Sequence, residues 1–125
     1  MLARNLLIYF IVQQCYQKGE KGARAMGLKA AFLFLAPKAE PNIHKSEVET
    51  EEVHLVIVGV SSYESAVEVA KKLVEEGYTA IELCGGFGYR GVVEVSEAVK
   101  GKAAVGVVRF DIHPGLGNRS GDELF

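Results

Sequence analysis

The sequence predicts a single small α/β domain, a mostly parallel sheet with two helices in the order β-(β)-β-α-β-α-β. Three observations predict it. Four apolar runs of strand length stand at Lys29 to Leu35, His54 to Val60, Thr79 to Cys84 and Ala103 to Phe110. Helical periodicity fills the second and third gaps between them, and the connections there are short. Strands alternating with helices in this way imply parallel pairing through right-handed crossovers.

Lys-Ala-Ala-Phe-Leu-Phe-Leu, closed by Ala36-Pro37, has the continuous apolarity of a strand buried on both faces. Lys38 to Ile43 carries Pro41 and Asn42 and reads as a loop. His44 to Thr50 alternates weakly before Glu51-Glu52, which admits an edge strand hairpinned onto the next one; its charges suit an exposed edge. His54 to Val60 is the second buried run. Ser61-Ser62-Tyr63-Glu64 then matches a capping box with Ser61 as the cap and Glu64 reaching back. Ala66, Val67, Ala70, Leu73 and Val74 share one face of the helix that follows, Glu68 and Lys72 pair on its wet side, and Gly77 stops it. Tyr89 to Lys100 is the second helix, with Val92, Val95 and Val99 as its stripe and Gly101 as its stop. After Asp111 the residues Pro114, Gly115, Gly117 and Gly121 predict an irregular tail: a lid, a subunit-swapped arm or a disordered end.

The chain of 125 residues is 49% hydrophobic and 24% charged, an ordinary globular composition. A net charge of −2 and scattered basic residues argue against nucleic acid and anionic membrane surfaces as partners. Cys15 and Cys84 are isolated and the histidines lack ligand spacing, so neither a disulfide framework nor a metal site is expected, and a cytoplasmic location fits. No cofactor motif is present. Leu6 to Val12 is too short to span a bilayer, which takes ~20 residues. Arg4 before that run and Ala23-Arg24-Ala25 after it imitate a signal peptide, but Lys18 to Arg24 is too charged for one, and Gln14 before Cys15 spoils a lipoprotein site. Residues 1–25 are therefore expected to be an extension outside the core, with Met26 as the natural start, residues 26–110 as the α/β domain and 111–125 as the tail.

The stretch that draws attention is Ala80-Ile81-Glu82-Leu83-Cys84-Gly85-Gly86-Phe87-Gly88, a buried strand running into a glycine turn before a helix. Ligands of open parallel sheets sit beyond the carboxyl ends of the strands, here Ser61, the glycine turn and Arg109. Glycines permit positive φ and close approach, and free N–H groups at a helix start can seat an anion. Gly85-Gly86-Phe87-Gly88 matches neither the dinucleotide fingerprint nor the P-loop. Alternation places Ala80, Glu82 and Cys84 on one face, and Val105, Val107 and Arg109 on one face of the last strand. A carboxylate, a thiol and a guanidinium could thus converge. The plainer readings are a structural Glu82–Arg109 ion pair, an inert core cysteine and a turn that needs glycine for geometry alone.

Together with Val58-Gly59-Val60 and Val105-Gly106-Val107-Val108-Arg109, the Glu82 to Gly88 segment resembles a small family of uncharacterised microbial proteins, a domain of unknown function, over Lys29 to Phe110. The resemblance implies the fold unit and no activity. Ala66 through Glu82 also resembles one β/α repeat of phosphate-binding barrels of the keto-acid aldolase kind. The chain has too few repeats for such a barrel and lacks a strand-end lysine, so that mechanism does not carry over.

Two functions follow as expectations. The first is binding of a small anionic metabolite by Ser61, Gly85, Gly86, Gly88 and Arg109; were it an enzyme, Glu82 would be the acid/base and Cys84 the nucleophile of a lyase, isomerase or hydrolase. The alternative is a non-catalytic, oligomeric binding or assembly module whose glycine turn is structural. Two helices cannot cover both faces of so apolar a sheet, so a homo-oligomer is expected under either.

Overall fold

A computed structural model describes residues 27–125. The apolar run 6–12 and the rest of the expected extension lie outside them. The strands are β1 (Leu28–Leu35), β2 (Lys45–Glu49), β3 (Val53–Val60), β4 (Ala80–Leu83) and β5 (Ala104–Val107); the helices are α1 (Tyr63–Glu75) and α2 (Tyr89–Ala98). One five-stranded sheet runs β2-β3-β1-β4-β5. All neighbours are parallel except β2 and β3, the edge hairpin. The α/β class, the strand and helix sequence and the hairpin all stand as the sequence predicts.

The strands are shorter than their apolar runs. Thr79 and Cys84 fall outside β4, and β5 stops at Val107 rather than Phe110. An edge strand lasts only as long as its neighbour: β4 ends at Leu83, and Val108 N–H donating to the Leu83 carbonyl is the last bond of that ladder. At α1 the cap is Ser62, whose side chain accepts from Ser65 N–H, and Ser61 is exposed. Glu64 makes no reciprocal bond there. The ion pair on the wet side forms between Glu68 and Lys71 at 3.7 Å instead of with Lys72. Gly77 at φ +91° takes the left-handed position that ends the helix.

Both crossovers, β3-α1-β4 and β4-α2-β5, step across the sheet in the same direction, so right-handedness lays both helices on one face. That face is the core. Ala31 and Leu33 of β1, Val56, Val58 and Val60 of β3, and Ile81 and Leu83 of β4 are buried against Ala66, Ala70 and Leu73 of α1 and Val95 of α2. The helices meet where Gly91 faces the Tyr63 ring with no room for a side chain.

The pleat sends the remaining strand residues to the opposite face. Its middle row reads Ser46, Ile57, Phe32, Glu82, Gly106 across the five strands. The row on one side reads Val48, Leu55, Ala30, Ala80, Ala104. On the other side Phe34 stands beside Gly59. No helix of the described residues covers this face.

Candidate functional site

The carboxyl edge of the strands is where the sequence places a site. Its centre is the turn from Cys84 to Gly88. Phe87 N–H donates to the Cys84 carbonyl, and the Phe87 ring is buried and stacked on Tyr63 at 5.7 Å between centroids. None of Gly85, Gly86 and Gly88 has positive φ; Gly88 is extended at φ −77°. The glycines serve close approach instead. A methyl group at Gly85 would overlap the Phe110 ring, and one at Gly88 would overlap the Asp122 carboxylate.

What approaches is the chain's own tail. After β5 it makes two 3-10 turns, Pro114–Leu116 and Gly121–Glu123, the second opened by a capping box between Ser120 and Glu123. Gly121 packs onto the Gly86 carbonyl with no space for a Cβ. The N-cap of α2 is Gly88, which has no side chain to offer, and Asp122 supplies the missing acceptor. Its carboxylate takes the Arg90 N–H at 3.1 and 3.2 Å and the Tyr63 hydroxyl at 2.9 Å, while that hydroxyl oxygen accepts from Gly88 N–H at 2.9 Å. Phe125 lies 6.1 Å from the Tyr63 ring and its carbonyl accepts from Arg90 Nη2 at 3.0 Å. The anion seat predicted at this helix start therefore holds an anion from within the chain.

The charges of the cluster follow from that geometry. Burial, reinforced by hydrogen bonding and charge from Asp122, pushes the Tyr63 phenol up to about 12 against the opposing Gly88 bond. Burial pulls the Asp122 carboxyl upward, but the Arg90 N–H, the Tyr63 hydroxyl, the Gly91 N–H and the Arg90 charge together outweigh it. They hold the group below the usual carboxylate range.

The predicted convergence of Glu82, Cys84 and Arg109 does not form. Glu82 pairs in register with Gly106, and Leu83 with Val107, so Val105, Val107 and Arg109 continue the helix side while Glu82 belongs to the bare side. Arg109 lies on the Tyr89 ring at 3.8 Å, at the first residue of α2. Its Nε and Nη1 are buried without an acceptor among the described residues. Glu82 is exposed, so neither ion pairing nor protonation is demanded of it by burial within the chain. The Cys84 sulfur accepts from Leu35 N–H at 3.4 Å and Gly86 N–H at 3.3 Å. His113 rests edge-on against Phe110 and uses its Nδ1 to accept from Gly115 N–H, not to serve the thiol.

The parts that Tyr63, Tyr89 and Asp122 play at this turn carry no signal in the sequence around them. The Ser-x-x-Glu spacing at Ser120 was the available signal for an ordered turn in the tail. A shallow groove at the opposite, amino edge of the strands is lined by Lys29, Glu49, Thr50 and Glu51 among others. No helix among the described residues is long and apolar enough to cross a membrane.

A family model described as a family of unknown function (DUF6506) matches residues 28–123. No curated protein matches the chain.

Proposed function

We propose, for a chain that belongs to this family of unknown function, that it is a self-assembling module without a catalytic centre of its own in the single subunit, joined through the bare face of its sheet. The observation that carries this reading is the composition of that face. Phe32, Phe34, Leu55 and Ile57 are only half-buried there, Leu28 and Val48 are 48% and 49% exposed, and the rows contain one charge, Glu82. The five strands, of 8, 5, 8, 4 and 4 residues, at ~3.3 Å of rise and ~4.8 Å of spacing give ~460 Å² in flat projection. That lies within the range of the largest apolar patches of ordinary monomers, ~300–600 Å². Side-chain relief enlarges it toward the ~800 Å² that each partner of a stable interface buries. A second copy presents the same face, and sheet-on-sheet packing about a two-fold axis is self-complementary.

Sedimentation of the full chain tests this. The wild type is expected to be a dimer or a higher closed oligomer, and Ile57→Lys a monomer that keeps the wild-type fold by circular dichroism. A wild-type monomer at the highest concentration the protein tolerates refutes the reading.

A second reading, a small anionic molecule held near Ser61 and the glycine turn with Arg109 as charge partner, draws support from the two guanidinium nitrogens without acceptors, since native structures pair such groups. Against it, Asp122 and Phe110 already occupy the ground beside Gly85 and Gly88. Titration with inorganic phosphate, followed by amide chemical shifts, separates the two: shifts at Tyr89 and Arg90 that vanish in Arg109→Met favour the ligand.

A further inference from the structure

Resting on the assembly reading, we propose that Glu82 makes the association of two sheet faces proton-coupled. The residue stands in the middle row, between Phe32 of β1 and Gly106 of β5, with Ile57 one strand further on. In the single subunit its carboxylate is exposed and solvated. Once a second copy covers the row, that solvation is lost.

What else faces this row decides the outcome. Beside Glu82 on β4 are Ala80 and Cys84, whose sulfur is already engaged by two backbone N–H groups. From β1 come Ala30, Phe32 and Phe34, from β3 Leu55, Ile57 and Gly59, from β2 Ser46 and Val48, and from β5 Ala104 and Gly106. Lys45, Glu47 and Glu49 alternate to the helix side, where Glu47 and Glu49 meet His54. His44, at the end of β2, commits its Nδ1 to Glu40 N–H. Lys29 also points to the helix side, over the Tyr78 ring. The strand rows therefore bring no cation to Glu82, and a partner copy brings only the same rows. A covered carboxylate without a cation is held as the neutral acid. Each subunit then takes up one proton on association. As long as association takes up these two protons, the dissociation constant of a two-fold dimer rises ~100-fold per pH unit, tenfold for each carboxylate.

The experiment is sedimentation equilibrium of the full chain between about pH 5 and about pH 8, a window above the ordinary glutamate range, on wild type and Glu82→Gln. Because Glu82 is exposed in the subunit, the variant is expected to fold with an unchanged melting temperature, which thermal denaturation under conditions of dissociation verifies. Wild-type association is expected to weaken steeply with rising pH. Glu82→Gln is expected to associate independently of pH and more tightly than wild type at pH 8. Dimers of equal affinity and equal pH profile in both proteins overturn the proton coupling and leave assembly standing. Monomers in both at every pH overturn the assembly reading, and this inference with it.

Discussion

Replacing Asp122 by Ala removes the one side chain that caps α2, from 32 positions away along the chain. Two consequences add. Loss of an N-cap acceptor costs about 1 kcal/mol, and loss of a charge-assisted bond to the Tyr63 hydroxyl costs about 1.5 kcal/mol more, because that hydroxyl keeps only its bond from Gly88 N–H. The sum is ~2.5 kcal/mol, which for a domain of this length lowers the melting temperature by ~10–20 °C. The loss also has a pH signature. Asp122 is held below the usual carboxylate range in the folded state, so it contributes stability above its unfolded value and gives it up as pH falls through the lower, folded one. Urea denaturation of wild type and Asp122→Ala at neutral pH and in acid measures this: the gap is expected at neutrality and should narrow once the folded and unfolded chains both protonate the group. A gap smaller than ~0.5 kcal/mol at neutral pH, the ordinary range of a surface substitution, refutes the claim that the tail caps this helix.

Tyr63→Phe strips the hydroxyl that Gly88 N–H and Asp122 share; the buried amide left behind makes a cost of ~1–3 kcal/mol the expectation in chemical denaturation. The wild-type phenol, pushed up to about 12, should show its phenolate absorbance only late in an alkaline titration. Gly121→Ala drives a methyl group into the Gly86 carbonyl and should cost ~1–3 kcal/mol, whereas Gly106→Ala has Glu82 as its nearest side-chain neighbour at 3.9 Å and should be close to neutral in the dissociated subunit. Arg109→Met keeps the packing over Tyr89 and deletes two buried donors without acceptors, so equal or higher stability is expected; a clear loss would show that the guanidinium has a partner in solution.

How far the sequence carried the reading depends on whether a feature is local. The apolar runs and the Gly77 stop announce themselves because strand and helix periods and a left-handed glycine are properties of neighbouring residues. Alternation counted within each strand brings Glu82 and Arg109 together, but alternation alone lacks the register. Only the pairing of Glu82 with Gly106 shows that the two side chains leave the sheet on opposite sides. The cap at Ser62 differs from the expected Ser61 by one position, the usual ambiguity when two serines stand in a row. The docking of the tail is out of reach of the sequence: close approach at Gly85 and Gly88 is legible, but that the approaching groups are Phe110 and Asp122 of the same chain is a long-range fact.

The position of β1 at the centre of the sheet has a consequence for the chain as it is made. Its partners are residues 53–60 on one side and 80–83 on the other, both synthesised later. At ~5–20 residues per second, Ala30-Ala31-Phe32-Leu33-Phe34-Leu35 waits seconds for either neighbour. During that interval it is an uncharged, proline-free segment with both edges open, the composition that pairs with its own kind in other chains. The hairpin of β2 and β3 gives the earliest relief, since β3 closes one edge of β1 before α1 exists. The other edge stays open until β4 arrives, and yield on expression should respond to whatever delays that arrival.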